Sequence, residues 1–112
     1  MSRAPMIVPS TEWQDMFPGL RWMRVDVDSM EPTIKHGDVV AVDTRETTID
    51  RFGGLYVCNF SGALLIRRVD PRPGAFAVTC DNPLYPHETI VAKADIASLN
   101  VIGRVVGYFR RL

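Results

Sequence analysis

What most limits the fold of this chain is its punctuation. Pro18-Gly19, Gly37, Gly53-Gly54, Ser61-Gly62, Pro71-Arg72-Pro73-Gly74 and Pro83 to Pro86 cut it into short pieces. None of the pieces holds a helix-period apolar pattern of useful length. Several hold runs of β-branched and aromatic residues bounded by turn signals. The strands expected are Met23–Val27, Val39–Asp43, Leu55–Phe60, Ala63–Val69, Ala75–Cys80, a short Glu88–Ala92 and Leu99–Phe109. Ser61-Gly62 reads as a tight hairpin turn. Gly103 and Gly107 mark bulges or bends in the last strand. Such a pattern predicts a mostly-β domain, a partly closed sheet or small barrel of short strands with little helix.

At 112 residues the chain has the size of one domain with one core. Residues 1–22 are expected to be a linker or N-terminal extension, and 23–112 the domain. Within the extension Thr11–Phe17 fits one or two helical turns, with Trp13, Met16 and Phe17 on one face. The formal net charge is +0, which leaves no basic footprint for nucleic acid. A DNA-binding role therefore needs another domain or subunit. No stretch approaches a membrane span of roughly 18 apolar residues, and no signal peptide is visible. Cys58 and Cys80 lie in apolar runs without a CxxC spacing, so free thiols in a reducing, cytoplasmic setting are expected.

The chemistry-bearing stretch is residues 25–44. Ser29 stands where a strand ends and a short helical turn begins, with Pro32 early in that turn and Gly37 closing it. Backbone N–H groups at such a junction are unpaired. They can face an oxyanion, which suits a nucleophile, or Ser29 can be an ordinary N-cap with Glu31 in the first turn. Other constellations are weak. His36 and His87 are the only histidines and neither has a metal-ligand spacing, so no metal is expected. His36 reads as a solvated turn residue. A Ser29–His87–Asp triad has no support in spacing. Gly53-Gly54 is followed by no helix and is not a phosphate loop. Arg67-Arg68 and Arg110-Arg111 alternate faces on strands, so one member of each pair is expected in solvent.

Three blocks in this order resemble the LexA-like family of self-cleaving repressors, which includes phage repressor C-terminal domains. They are Asp28-Ser29-Met30-Glu31-Pro32-Thr33-Ile34 with Gly37 to Asp43; Gly54-Leu55-Tyr56-Val57 with Leu64-Leu65-Ile66-Arg67-Arg68-Val69; and Asp81-Asn82-Pro83-Leu84-Tyr85-Pro86 with Val101 to Val106. The first block alone is also similar to type I signal peptidases. The second and third favour the repressor side. The resemblance covers about residues 23–110. It implies a LexA/signal-peptidase-like fold in which Ser29 attacks a peptide bond in the preceding linker. An unprotonated lysine on a nearby strand would be the base, and the N–H groups of Asp28, Ser29 and Met30 would hold the oxyanion. It also implies a homodimer, with higher orders left open, formed through the C-terminal strand. Val105, Tyr108 and Phe109 are the expected contacts, and DNA is met only through an upstream helix-turn-helix domain.

This chain departs from the family pattern at the base. Arg67 occupies the lysine position, and an arginine, with a pKa above ~12, accepts no proton. Lys35 and Lys93 are the only lysines, and neither is on the matching strand. Val27 stands where the family often has Gly, and residues 1–22 contain no Ala-Gly or Cys-Gly pair. The expectation is a regulatory and dimerisation domain with self-cleavage lost or crippled and no cofactor. An inducer or antirepressor protein would then release the operator, with a cleft lined by Ser29, Met30 and Arg67 as its seat. In that cleft Arg67 either receives an anion or pairs with Asp26 or Asp28. An active self-cleaving peptidase and a stand-alone interaction module are the alternatives.

Overall fold

The computed structural model of the chain describes residues 18–112. The helical face expected from Trp13, Met16 and Phe17 lies outside these residues. Seven strands form one sheet: β1 (Leu20–Arg24), β2 (Val39–Asp43), β3 (Gly54–Phe60), β4 (Ala63–Arg72), β5 (Ala75–Thr79), β6 (Glu88–Ala92) and β7 (Val101–Phe109). Their spatial order is β1-β2-β7-β3-β4-β5-β6, and every pairing is antiparallel. A short 3-10 helix, Lys93–Leu99, separates β6 from β7. Among the described residues no helix is long and apolar enough to cross a membrane.

The architecture is mostly β with little helix, as the punctuation predicts. The expected partial closure is not found: among the described residues β1 and β6 are the edges of an open sheet. Four boundaries also shift by two residues or more. β1 begins at Leu20, inside the stretch expected to be linker, and ends at Arg24 rather than Val27. Beyond Arg24 only Val25 stays paired, through Val25 N–H to Asp38 O and Gly37 N–H to Val25 O. β4 runs on through Pro71 to Arg72. Past Val69 it pairs with β5 alone, so the proline's missing N–H faces no partner strand. β7 begins at Val101, because Leu99 closes the 3-10 helix and Asn100 takes a left-handed conformation (φ 47°).

Turn chemistry explains the hairpins. Ser61 and Gly62 both have positive φ (53° and 91°), as a type I′ turn between β3 and β4 requires. β7 carries two bulges. Val57 pairs with Gly103 and Cys58 with Val101, leaving Ile102 unpaired; Ala41 pairs with Gly107 and Val42 with Val105, leaving Val106 unpaired. Both sit beside the expected glycines. β7 is not an edge strand in its first half, since it lies between β2 and β3. Its pairing with β3 stops at Arg104, so only residues 105–109 lack a strand on that side.

The core has two parts, one on each face of the central strands. Met30, Ile34, Val40, Val42 and Val57 form the first, and Tyr56, Cys58, Val69, Val78 and Leu99 the second. Val57 and its neighbours Tyr56 and Cys58 fall in different clusters because strand side chains alternate. Tyr56 is fully buried, and its hydroxyl accepts the Asp50 N–H at 2.8 Å, so its polar end is satisfied.

Candidate functional site

The serine loop, residues 25–38, holds one helical turn that is not continued into a helix: Ile34 N–H donates to Met30 O, flanked by the tighter bonds of Glu31 N–H to Asp28 O and Asp38 N–H to Lys35 O. Two side chains pin it from below. Met30 and Ile34 are each 2% exposed in the first core cluster. Burying each contributes about 1.5–3 kcal/mol, so the loop is anchored by packing more than by its few backbone bonds. Gly37 (φ 93°) closes the turn as expected. Asp38, buried at its end, accepts Lys35 N–H at 2.7 Å and both arms of Arg110 at 2.8 and 2.7 Å. The Arg110 hydrogen bonds hold the Asp38 carboxyl below the usual carboxylate range. Arg110 is therefore not the solvated member of its pair in any simple sense: it ties the chain's end to the base of the serine loop.

A second segment clamps the loop from the side. Asn82, 7% exposed, donates through Nδ2 to Asp28 O at 2.8 Å and through its backbone N–H to Ser29 O at 3.1 Å. Its Oδ1 accepts Leu84 N–H at 2.9 Å. Tyr85 donates its hydroxyl to Asp28 Oδ1 at 2.8 Å, which raises the phenol's pKa. Asp81 joins three elements: Arg68 of β4 grips it with two bonds of 2.7 Å, and Thr33 of the serine loop donates to it at 2.6 Å. The Arg68 bonds hold Asp81 below the usual carboxylate range. Arg68, like Arg110, is thus a paired residue rather than a solvated one. Asn82, Tyr85 and the Asp81–Arg68–Thr33 cluster were not expected as site residues. Their signal was in the Asp-Asn-Pro-x-Tyr-Pro block, but its reach back to residues 28–33 is a tertiary fact.

Ser29 is half-buried on this scaffold. Arg67 Nη1 donates to Ser29 Oγ at 3.4 Å, a long bond, and to Ile66 O at 2.7 Å. That is the one hydrogen bond of the Ser29 hydroxyl among the described residues, so Ser29 does not act as an N-cap. The backbone N–H groups of Asp28, Ser29 and Met30 have no partner among these residues. Arg67 makes no ion pair with Asp26 or Asp28; the Asp28 carboxylate is taken by Tyr85. Lys35, Lys93 and His36 are exposed, and His87, also exposed, makes no bond to Ser29.

A cleft of about 470 Å3 opens beside Arg67, and its walls include Leu65, Val78, Cys80 and Tyr85. Of the three residues expected to line it only Arg67 does: Met30 is buried in the core, and Ser29 lies behind Arg67, off the wall. Cys58 is buried and its thiol is pushed up to about 11 by desolvation, whereas Cys80 is half-buried on the cleft wall; both are free. No group of three or more His, Cys, Asp or Glu that could hold a metal occurs among the described residues. Of the three expected contact residues at the C-terminal strand, Val105 packs on the first core cluster. Tyr108 (53%) and Phe109 (64%) stay exposed.

No curated protein matches the chain closely enough to count as a relative. The profile of the peptidase S24-like family matches it over residues 10–106, a span that holds the serine loop, the β3–β4 hairpin and the Asp81–Pro86 clamp. The chain therefore belongs to the peptidase S24-like family, that of LexA and phage-repressor C-terminal domains.

Proposed function

We propose that this chain is the regulatory and dimerisation domain of a bacterial or phage transcriptional repressor whose self-cleavage is lost. The observation that carries this reading is the contact of Arg67 Nη1 with Ser29 Oγ. A serine nucleophile must hand its proton to a base, and a guanidinium with a pKa above ~12 only donates. The chain's lysines, Lys35 and Lys93, are exposed and neither bonds to Ser29. Residues 105–109 of β7, with Tyr108 and Phe109 exposed and, among the described residues, no strand on the side away from β2, support a homodimer contact there. DNA is met through an upstream domain, and an inducer or antirepressor shifts the dimer. The free Cys58 and Cys80 agree with a cytoplasmic setting.

A second reading, an active self-cleaving serine peptidase, draws on the open N–H groups of Asp28, Ser29 and Met30. It lacks a proton acceptor at Ser29. Incubating the full-length protein at alkaline pH separates the two. The proposal expects one intact band; two fragments that vanish in Ser29→Ala would replace it with the second reading. Arg67→Lys is the reverse test, since a lysine in this half-buried place can lose its proton.

A further inference from the structure

The cleft beside Arg67 has Phe60, Leu65, Val78, Val91 and Leu99 on its wall, together with His87 and several hydroxyl side chains. Its volume of about 470 Å3 lies in the range of small-ligand sites. Arg67 is the one lysine or arginine on its wall, and no acidic residue lines it. Arg45, Arg68, Arg72, Arg104 and Arg110 each have a carboxylate within ion-pair distance; Arg67 has none among the described residues. Its Nη1 meets two neutral oxygens, Ile66 O and Ser29 Oγ. A half-buried guanidinium without a counter-charge has lost hydration that two neutral oxygens replace only in part. Its planar fork matches a carboxylate, and the walls match an alkyl or aryl body.

We infer that this cleft binds a small apolar carboxylic acid, the carboxylate on Arg67 and the hydrocarbon against Leu65, Val78 and Val91. This rests on the reading of a non-cleaving regulatory domain, for which such an acid is the effector.

The test is methyl NMR of the full chain titrated with 4-phenylbutyrate, octanoate and 1-naphthoate, and with the neutral amide of each. At least one acid should shift the methyls of Leu65, Val78, Val91 and Leu99, and its amide should bind about tenfold more weakly or worse. Arg67→Met keeps the side chain's stem and removes its charge; it should weaken the acid about tenfold and leave the amide unchanged. Cys80→Phe, which fills the cleft without touching the guanidinium's charge, should abolish both, and it serves if Arg67→Met fails to fold. Equal binding of acid and amide overturns the proposal, as does no binding by any acid at about 10 mM. A synthetic peptide of residues 5–17 that displaces every acid would also overturn it, by making the occupant a segment of this chain. The same titration in Ser29→Ala keeps the two readings apart. Binding there, together with self-cleavage of the unaltered protein, removes the function proposed above and leaves the ligand site standing. No binding without self-cleavage does the converse.

Discussion

Asp81→Asn is the sharpest probe of how the site is held. Asp81 is mostly buried, with 12% of its side chain exposed, and it receives two bonds from Arg68 and one from Thr33. The amide keeps the shape and can still accept from Thr33, so what is lost is the charge that Arg68 grips. A hydrogen bond to a charged partner is worth about 1.5–3 kcal/mol. Arg68 is 37% exposed and can turn to water, so the two bonds together are discounted to about 2 kcal/mol. For a domain of this size that is a fall in Tm of roughly 8–16 °C. The sign with pH follows from the depressed Asp81 pKa. Its contribution is full above the unfolded value of about 3.9 and is lost as pH falls through the folded value. Thermal melts followed by circular dichroism at pH 7 and at stepwise lower pH should therefore show a gap that closes in acid. Asp38 and Asp43, also depressed, lower both proteins alike and cancel in the difference. A gap that stays constant into acid, or one below about 2 °C at pH 7, would refute the assignment of the Asp81–Arg68 pair as the clamp.

Three further outcomes are expected. Asn82→Ala removes a buried group that bridges Asp28 O and Leu84 N–H; it should cost about 1–3 kcal/mol in urea unfolding and speed amide exchange across residues 28–34. Gly103→Ala would put a Cβ 2.6 Å from Asp43 O and 2.8 Å from a Val42 methyl, so a loss of about 1–3 kcal/mol or failure to fold is expected in the same assay. In native protein at pH 8 a thiol reagent should modify Cys80 and spare Cys58, whose burial holds the thiol protonated with a pKa of about 11; equal rates would contradict the packing of β3.

The strands were legible because their signals are local. β2 and β6 sit where alternation and turn residues put them, and Ser61-Gly62 turns as its chemistry requires. The errors share one cause, which is that pairing partners set strand ends. Pro71 reads as a breaker until β3 is seen to stop short of it, and Leu20 reads as linker until β2 is seen opposite it. The 3-10 helix escaped because seven residues are too few to show a period. Within the candidate site, Ser29 and Arg67 were readable from motif position. One member of each of the Arg67-Arg68 and Arg110-Arg111 pairs was expected in solvent by strand alternation; Arg111 is exposed, but Arg68 and Arg110 found aspartates far away in sequence.

The sequence by itself determined the class of fold, the presence of a serine at a strand-to-turn junction, and an arginine rather than a lysine at position 67. Each of these depends on residue identity or on neighbours a few positions apart. Tertiary structure alone decided that Asn82, Tyr85 and Asp81 hold the serine loop, that Arg67 meets Ser29 and no acid among the described residues, and that a cleft opens beside Arg67. These depend on which segments lie side by side: β4 pairs with β5, which leads into Asn82, and the burial of Met30 and Ile34 seats the serine loop against Arg67 and Asn82.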